Sequence, residues 1–232
     1  MLLPLHNMRL FHNNIKRKYI DKYIDSPSTL LDLACGKGGD IPKWKSNKFI
    51  KSVTGYDINE ESIIEAKKRL KNLKVNKSIK FYIKDLSKEN LHCKLKYDII
   101  TSFFAFHYFF KNNKTLKTIL SSIDNCSKSG SLLILALFDG NKVHNINNKD
   151  YSLKLLDKKK LEVYIKNSVL DNPEIEYIVK PSILIKKLNT INFELIESTS
   201  FKELNALNTR FKLTKDEQIL SFMNRIYIFK KI

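Results

Sequence analysis

From residue 29 to about residue 140, short apolar runs alternate with segments whose apolar positions recur every three or four residues, and this alternation restricts the chain to folds built from βα units. The runs at 29–33, 52–57, 79–84, 97–103 and 131–137 read as strands of a mainly parallel sheet. Helices are expected over 40–49, 59–70 and 114–126; in the second, Ile63, Ile64, Ala66 and Leu70 keep helical spacing and Asn59 is the cap. After Asp139 the regularity fails. Residues 140–149 are polar and asparagine-rich, and weak alternation continues to about Pro173, so 140–180 is expected to be an insertion. A helix over 181–189 and strands over 192–199 and 222–230 follow, the two strands forming an antiparallel pair around a loop-and-helix excursion at 201–219. Residues 8–24 form a basic helix ahead of the core, within an amino-terminal segment 1–26. The expectation is one α/β domain over 1–232: a doubly wound, mainly parallel seven-stranded sheet with a C-terminal antiparallel strand pair.

Composition narrows the partners. Lys and Arg number 42 against 24 Asp and Glu, a formal net charge of +18. A field of that size attracts polyanions, which makes nucleic acid or a phosphate-rich ligand the expected partner class. Heavy use of Lys, Asn and Ile also fits drift in an AT-rich genome, such as that of a large cytoplasmic DNA virus or a microsporidian, so charge alone does not decide. Cys35, Cys93 and Cys126 are scattered, with neither metal-ligand nor redox spacing; free thiols and no metal are expected. No run approaches the roughly 18 apolar residues of a membrane span, and residues 1–9 lack the apolar core of a secretory signal. An intracellular protein with no membrane partner is expected: cytoplasm or virion for a viral source, nucleus for a cellular one.

The first strand runs into the turn Asp32-Leu33-Ala34-Cys35-Gly36-Lys37-Gly38-Gly39-Asp40. Glycines there let the backbone pass beneath a ligand at the carboxyl end of the strand, where open α/β sheets bind theirs. The third glycine of a dinucleotide fingerprint is absent. Instead Asp32 precedes the turn and Asp40 follows it, an arrangement that repels pyrophosphate and suits a cationic ligand; S-adenosylmethionine, with a sulfonium, an amino group and no phosphate, fits. Asp57 ends the second strand, where a carboxylate can accept from both ribose hydroxyls, and Asp85 follows the third, within reach of an adenine amino group. Each acid taken singly also reads as a solvated strand-end cap, and Asp57 would serve a nicotinamide cofactor equally well.

The turn, with Lys43-Trp44 just beyond it, resembles the LDLGCGKGGDxxKW motif of the eukaryotic and viral mRNA cap guanine-N7 methyltransferases, which are class I S-adenosylmethionine-dependent enzymes of Rossmann-like fold. Four further segments match in order, so the resemblance covers residues 9–231. Residues 9–16 resemble RxFNNWIK, with Asn13 and Lys16 in register, His12 in place of the first asparagine and Asn14 in place of the tryptophan. Residues 102–109 resemble SQFxxHYxF, with His107 and Tyr108 in register and Phe103 in place of the glutamine. Residues 176–179 resemble EYLV, whose glutamate reads guanine. Residues 224–231 resemble YxVFxFxK, with Asn224 at the position of the cap-facing tyrosine; either that contact is lost or Tyr227 supplies it through a one-residue shift.

The resemblance implies methyl transfer from S-adenosylmethionine to N7 of the guanosine capping an mRNA 5′ end. It places Lys16, Asp32, Gly36, Asp40, Asp57, Asp85, Phe103 and Tyr108 around the cofactor. It places His12, Asn13, Lys37, Lys43, Arg69, His107, Tyr108, Glu176 and Tyr227 around the cap, with the three basic residues Lys37, Lys43 and Arg69 toward its phosphates. No acid–base residue is expected, because N7 has a free lone pair and no proton; His107, Tyr108 and Glu176 position the base. The implied partners are a capped RNA end and other capping-enzyme domains or a stimulatory subunit. Two alternatives stay open: a catalytically silent methyltransferase-like subunit, to which the substitutions at His12, Phe103 and Asn224 point, and a methyltransferase for another RNA or a small molecule. Read singly, His107 and Tyr108 are also ordinary core aromatics, and Lys16, Lys43, Arg69 and Glu176 ordinary surface charges.

Overall fold

The computed structural model describes residues 5–166, 172–208 and 210–232. In chain order the first part comprises α1 (His6–Tyr23), β1 (Ser28–Leu33), α2 (Ile41–Ser46), β2 (Ile50–Asp57), α3 (Glu60–Asn72), β3 (Ser78–Ile83), β4 (Tyr97–Phe103), a 3₁₀ helix (Phe106–Lys111), α4 (Asn113–Cys126) and β5 (Ser127–Phe138). The remainder comprises β6 (Ile146–Asn147), β7 (Tyr151–Leu155), β8 (Lys160–Ile165), β9 (Glu174–Tyr177), α5 (Pro181–Asn189), β10 (Phe193–Ser200), α6 (Phe201–Ala206), α7 (Lys215–Ser221) and β11 (Asn224–Lys231).

Seven strands form one sheet in the order β10-β11-β5-β4-β1-β2-β3. Only β11 runs against its neighbours, β10 and β5. The chain leaves β1 toward β2 and β3, then crosses back to place β4 on the other side of β1, so the strand order reverses between β1 and β4. The crevice outside the carboxyl ends of strands at such a switch point is where open α/β sheets take their ligands. Asp32 stands at that point, in register with Gly55 of β2 and Thr101 of β4.

Side-chain alternation along the strands feeds two cores. On one face Leu30, Ile99, Ile226 and Ile228 pack with Phe11 and Ile15 of α1, Trp44 of α2 and Ile63 of α3. On the other, Leu31, Ile100, Tyr227 and Phe229 pack with Leu116 and Ile119 of α4 and Leu184 of α5. The amino-terminal helix is fastened along its length. Met8 N–H, an orphan donor of its first turn, donates to buried Glu217 of α7 at 2.9 Å, while Tyr19, Lys22 and Tyr23 all donate to Glu197 of β10. That fixes the height at which Lys16 meets the sheet.

The expected insertion is a second sheet, four antiparallel strands in the order β6-β7-β8-β9. It is tied down where Gly140 N–H donates to Val179 at 3.0 Å; a Cβ at Gly140 would stand 2.7 Å from that backbone, so only glycine allows the approach. Residues 167–171 of the insertion and residue 209 of the 201–219 excursion lie outside the described residues. The excursion holds two short helices, α6 and α7, each opened by a capping box.

Three expectations are corrected here. The helix foreseen over 40–49 stops at Ser46, because Asn47 turns extended and its side-chain amide donates to Asp21 and to the Ile24 carbonyl. The strand foreseen at 131 starts at Ser127, passing through Gly130 at φ +84°. Finally, the thiols are not all free: Cys93 and Cys126 form a disulfide across a separation of 33 residues, and only Cys35 is unpaired. The 84–96 connection folds back onto the end of α4, a juxtaposition that spacing does not reveal.

Candidate functional site

The glycine turn sits at the carboxyl end of β1 and is held open from below. Gly36 and Gly38 have φ of +51° and +68°, and Ala34 shares the left-handed region at +62°. A Cβ on Gly38 would stand 2.7 Å from Ile41 and 3.1 Å from the Cβ of Ala66 of α3, so the turn is packed beneath. A Cβ on Gly36 or Gly39 would meet nothing within 4 Å, which leaves free space over the upper side of the turn.

The four acids surround that space in different states. Asp32 is buried, accepts from Thr101 Oγ1 at 2.6 Å, and has its carboxyl pushed up to about 8 by burial and by the charge of Asp40. Asp57 accepts from Gly36 N–H at 2.7 Å and from Asn59 N–H at 2.9 Å, one bond per oxygen, which leaves acceptor capacity on both. Asp85 behaves as a turn cap: it accepts from Ser87 N–H and Oγ and pairs with Lys88 at 3.0 Å. Asp40 is buried and paired with both Lys16 and Lys43 at 2.7 Å, and the two ammonium groups hold its carboxyl below the usual range despite burial.

This ion cluster corrects two expectations. Asp40 offers no uncompensated charge to a cationic ligand, since two lysines already neutralise it. Lys43 is 3% exposed and does not face phosphate; its Nζ also donates to Asn13 Oδ1 at 2.7 Å. Lys16 reaches the same cluster from α1 and lies 5.4 Å from the ring centre of Phe103 and 6.0 Å from that of Phe104. His12 is built into the wall: it hydrogen-bonds Ser221 at 2.9 Å and stacks on Phe104 at 5.3 Å, and burial drops its imidazole to about 3.

Across the switch point the 3₁₀ helix and β9 bring His107, Tyr108 and Glu176 together. His107 Nε2 lies 3.4 Å from Glu176 Oε2, and the His107 and Tyr108 rings are 4.2 Å apart. Burial lowers the His107 imidazole to about 3 and raises the Glu176 carboxyl to about 8, so this contact is between neutral groups. Burial together with Glu176 and Glu174 holds the Tyr108 phenol protonated.

Other candidates lie elsewhere. Tyr227 is 1% exposed, on the face of β11 that packs against α4 and α5, and Asn224 is buried with its amide donating to the Leu220 and Ser221 carbonyls. Tyr227 does not face the slot, because the register of β11 on β5 sets it opposite Leu135 in the core, and the Asn224 amide is taken up by its two carbonyl partners. Lys37 is exposed on the turn. Arg69 is exposed on α3, one turn beyond Ala66, and pairs with Glu65 at 3.2 Å. Sequence reasoning missed Thr101, the partner of Asp32, and Phe104, an aromatic residue at φ +60° that forms the floor under His12. No residue pattern marks a left-handed phenylalanine; a strained position beside a site is visible only in the fold. Among the described residues no cluster of His, Cys, Asp or Glu is placed to hold a metal, and no helix is long and apolar enough to cross a membrane.

The sequence profile of the mRNA (guanine-N(7))-methyltransferase domain matches residues 2–227. The chain belongs to the mRNA (guanine-N(7))-methyltransferase family. Similar proteins include the mRNA cap guanine-N(7) methyltransferase of Schizosaccharomyces pombe, 31% identical over 56% of this chain and 39% of that protein. Another is a mimivirus protein named as a probable mRNA-capping enzyme, 28% identical over 90% of this chain and 23% of its own length. The chain thus spans well under half the length of these curated relatives. Among solved structures, an S-adenosylmethionine-dependent methyltransferase from Clostridium acetobutylicum superposes with a TM-score of 0.66 at 16% identity, covering 96% of this chain and 91% of that one. A glycopeptide N-methyltransferase complexed with S-adenosyl-L-homocysteine gives 0.63 at 11%, covering 95% and 87%. At such identities the likeness is one of fold: the seven-stranded sheet of this mRNA (guanine-N(7))-methyltransferase family member is the Rossmann-like methyltransferase sheet.

Proposed function

We propose that this chain transfers a methyl group from S-adenosylmethionine to N7 of the guanosine that caps an mRNA 5′ end. The observation that carries the reading is the convergence of Glu176, from the inserted sheet, on His107 and Tyr108, from the 3₁₀ helix that follows β4, at the carboxyl end of the strand beside β1. The turn suits the cofactor: the space over Gly36 and Gly39 admits a ligand at backbone distance, and Asp57 keeps open acceptor sites beside it. When bound, S-adenosylmethionine supplies a methyl carbon made electrophilic by its sulfonium.

The chain's own residues do the positioning. Asp57 keeps one acceptor site on each oxygen for a ribose hydroxyl, Asp32 turns toward an amino group as it ionises, and Lys16 and Phe103 bound the methionine end. Asp85 can add an adenine contact only while still capping its own turn. Tyr108 gives the guanine a stacking face, and a carboxylate at Glu176 accepts from N1–H and the exocyclic amino group, a donor pair that only guanine presents. N7 carries a lone pair and no proton, so no residue is required to act as a base; rate comes from holding nucleophile and methyl carbon in line. Lys37, exposed on the turn, and Arg69, exposed on α3 one turn beyond the Ala66 that packs beneath it, take the phosphate bridge and RNA start, which makes binding salt-sensitive. In this reading the 140–180 insertion supplies one wall of the cap slot, and the partners are a capped RNA end and, in longer chains, adjoining capping-enzyme domains or a stimulatory subunit.

The test is methyl transfer to capped against uncapped RNA, with Glu176→Ala beside the wild type. Activity confined to GpppRNA and lost in the variant supports the reading. Equal activity on uncapped RNA refutes it.

A further inference from the structure

Glu176 sits in unusual company for a carboxylate expected to bind a base. On β8 the residue opposite it is Leu161, and Lys160 and Glu162, its neighbours there, project by strand alternation to the other face of the small sheet. Glu174, two residues away on β9, shares its face and carries the same charge sign. From the 3₁₀ helix it meets His107 and Tyr108, and among the described residues His107 is the one basic side chain within ion-pair distance. His107 Nε2 is buried, 3.4 Å from Glu176 Oε2, and among the described residues no hydrogen bond satisfies it. A naked carboxylate in this setting lacks any compensating cation, whereas a carboxylic acid has an unsatisfied acceptor 3.4 Å away.

We propose that the free protein holds a proton between Glu176 Oε2 and His107 Nε2, and that a guanine cap displaces this proton to solvent, so that cap recognition is a proton-releasing event. The inference rests on the cap-binding reading above and concerns the regulation of that same site. The chemistry is an exchange of one hydrogen-bond pattern for another. In the free state the Glu176 O–H donates to His107. In the complex the guanine N1–H and exocyclic N–H both need acceptors, which only the ionised carboxylate supplies on both oxygens; the Glu176 O–H bond breaks and the proton passes to buffer. His107 does not keep it, because burial opposes an imidazolium there. With the Glu176 carboxyl held up to about 8, nearly every free molecule carries the proton at pH 7. Binding then weakens about tenfold for each pH unit below that value, and about fiftyfold between pH 8 and pH 6.

The experiment is isothermal titration of the protein with the cap dinucleotide GpppA at pH 7, in buffers of widely different ionisation enthalpy. The protein is first saturated with S-adenosylhomocysteine, so that Asp32 does not contribute. The expected result is a binding heat that varies linearly with buffer enthalpy, with a slope equivalent to close to one proton released. Heats independent of buffer, with clear binding, overturn the proposal and leave the cap reading intact. Absence of binding in every buffer overturns the cap reading itself. A Glu176→Gln variant that binds weakly and releases no proton supports the assignment to this carboxyl; one that still releases it overturns that assignment.

Discussion

Replacing Gly38 by alanine tests whether the floor of the crevice is built as described. At φ +68° an added Cβ is disfavoured by about 1–2 kcal/mol for the backbone alone. The same methyl would stand 2.7 Å from Ile41 Cδ1 and 3.2 Å from Ala66 Cα. Ile41 can rotate away, but the α3 backbone at Ala66 cannot, so overpacking adds about 1–3 kcal/mol. The expected loss for Gly38→Ala is therefore about 2–5 kcal/mol. Gly39→Ala is the control, because its φ is ordinary and its Cβ meets nothing within 4 Å. It is expected to leave stability unchanged while lowering affinity for S-adenosylhomocysteine, since the methyl occupies the space over the turn. Urea unfolding followed by the fluorescence of Trp44, the single tryptophan and fully buried in α2 behind the turn, reads the first effect; ligand titration reads the second. Equal unfolding midpoints for the two variants would refute the packing of α3 beneath the turn.

Asp40→Asn strands the buried ammonium of Lys43 and the partly buried one of Lys16 and is expected to cost about 3–5 kcal/mol in the same unfolding assay; a loss below about 1 kcal/mol would mean the cluster is solvated. For Asp32 the sign runs the other way. Its folded carboxyl keeps its proton up to about pH 8 while the unfolded one loses it near pH 4, so its contribution to stability falls through that window by up to about 1.4 kcal/mol per pH unit; Asp32→Asn removes that share of the slope between pH 5 and 8 and leaves the parallel share of Glu176. A slope left unchanged by the substitution contradicts the burial of Asp32. The Cys93–Cys126 bond closes a separation of 33 residues, and chain entropy gives it about 4 kcal/mol. Alkylation of the unreduced, unfolded protein should label Cys35 alone, and reductant should lower the unfolding midpoint.

The main sheet was legible because its strands and helices each obey one period. Runs such as Leu30-Leu31 and Ile99-Ile100 are apolar on both faces, and Asn59 caps α3 by accepting from Ser62 N–H as its residue type suggests. The small sheet was not, because β6 spans two residues, β7 and β8 each bury only two side chains on one face and β9 buries none, so their alternation is faint. Within the site, the proximity of His107, Tyr108 and Glu176 followed from matched segments, whereas the roles of charged residues did not. A lysine's type says nothing of its burial, and Lys43 is drawn inward by Asp40, a residue three positions earlier that sequence alone presents as free. Tyr227 illustrates register: period-2 alternation assigns it a face with Phe229, but which face meets the crevice depends on how β11 docks on β5.

The central claim is that a methyl donor over the 36–40 turn faces a guanine held by Glu176, with N7 in line. Its most direct test is to incubate the protein with GpppRNA and isotopically labelled S-adenosylmethionine, digest the product to nucleosides and locate the label by mass spectrometry. Label found solely in 7-methylguanosine from the 5′ end is the predicted result. Label on another atom of guanine, on a ribose hydroxyl or on an internal nucleotide would contradict it.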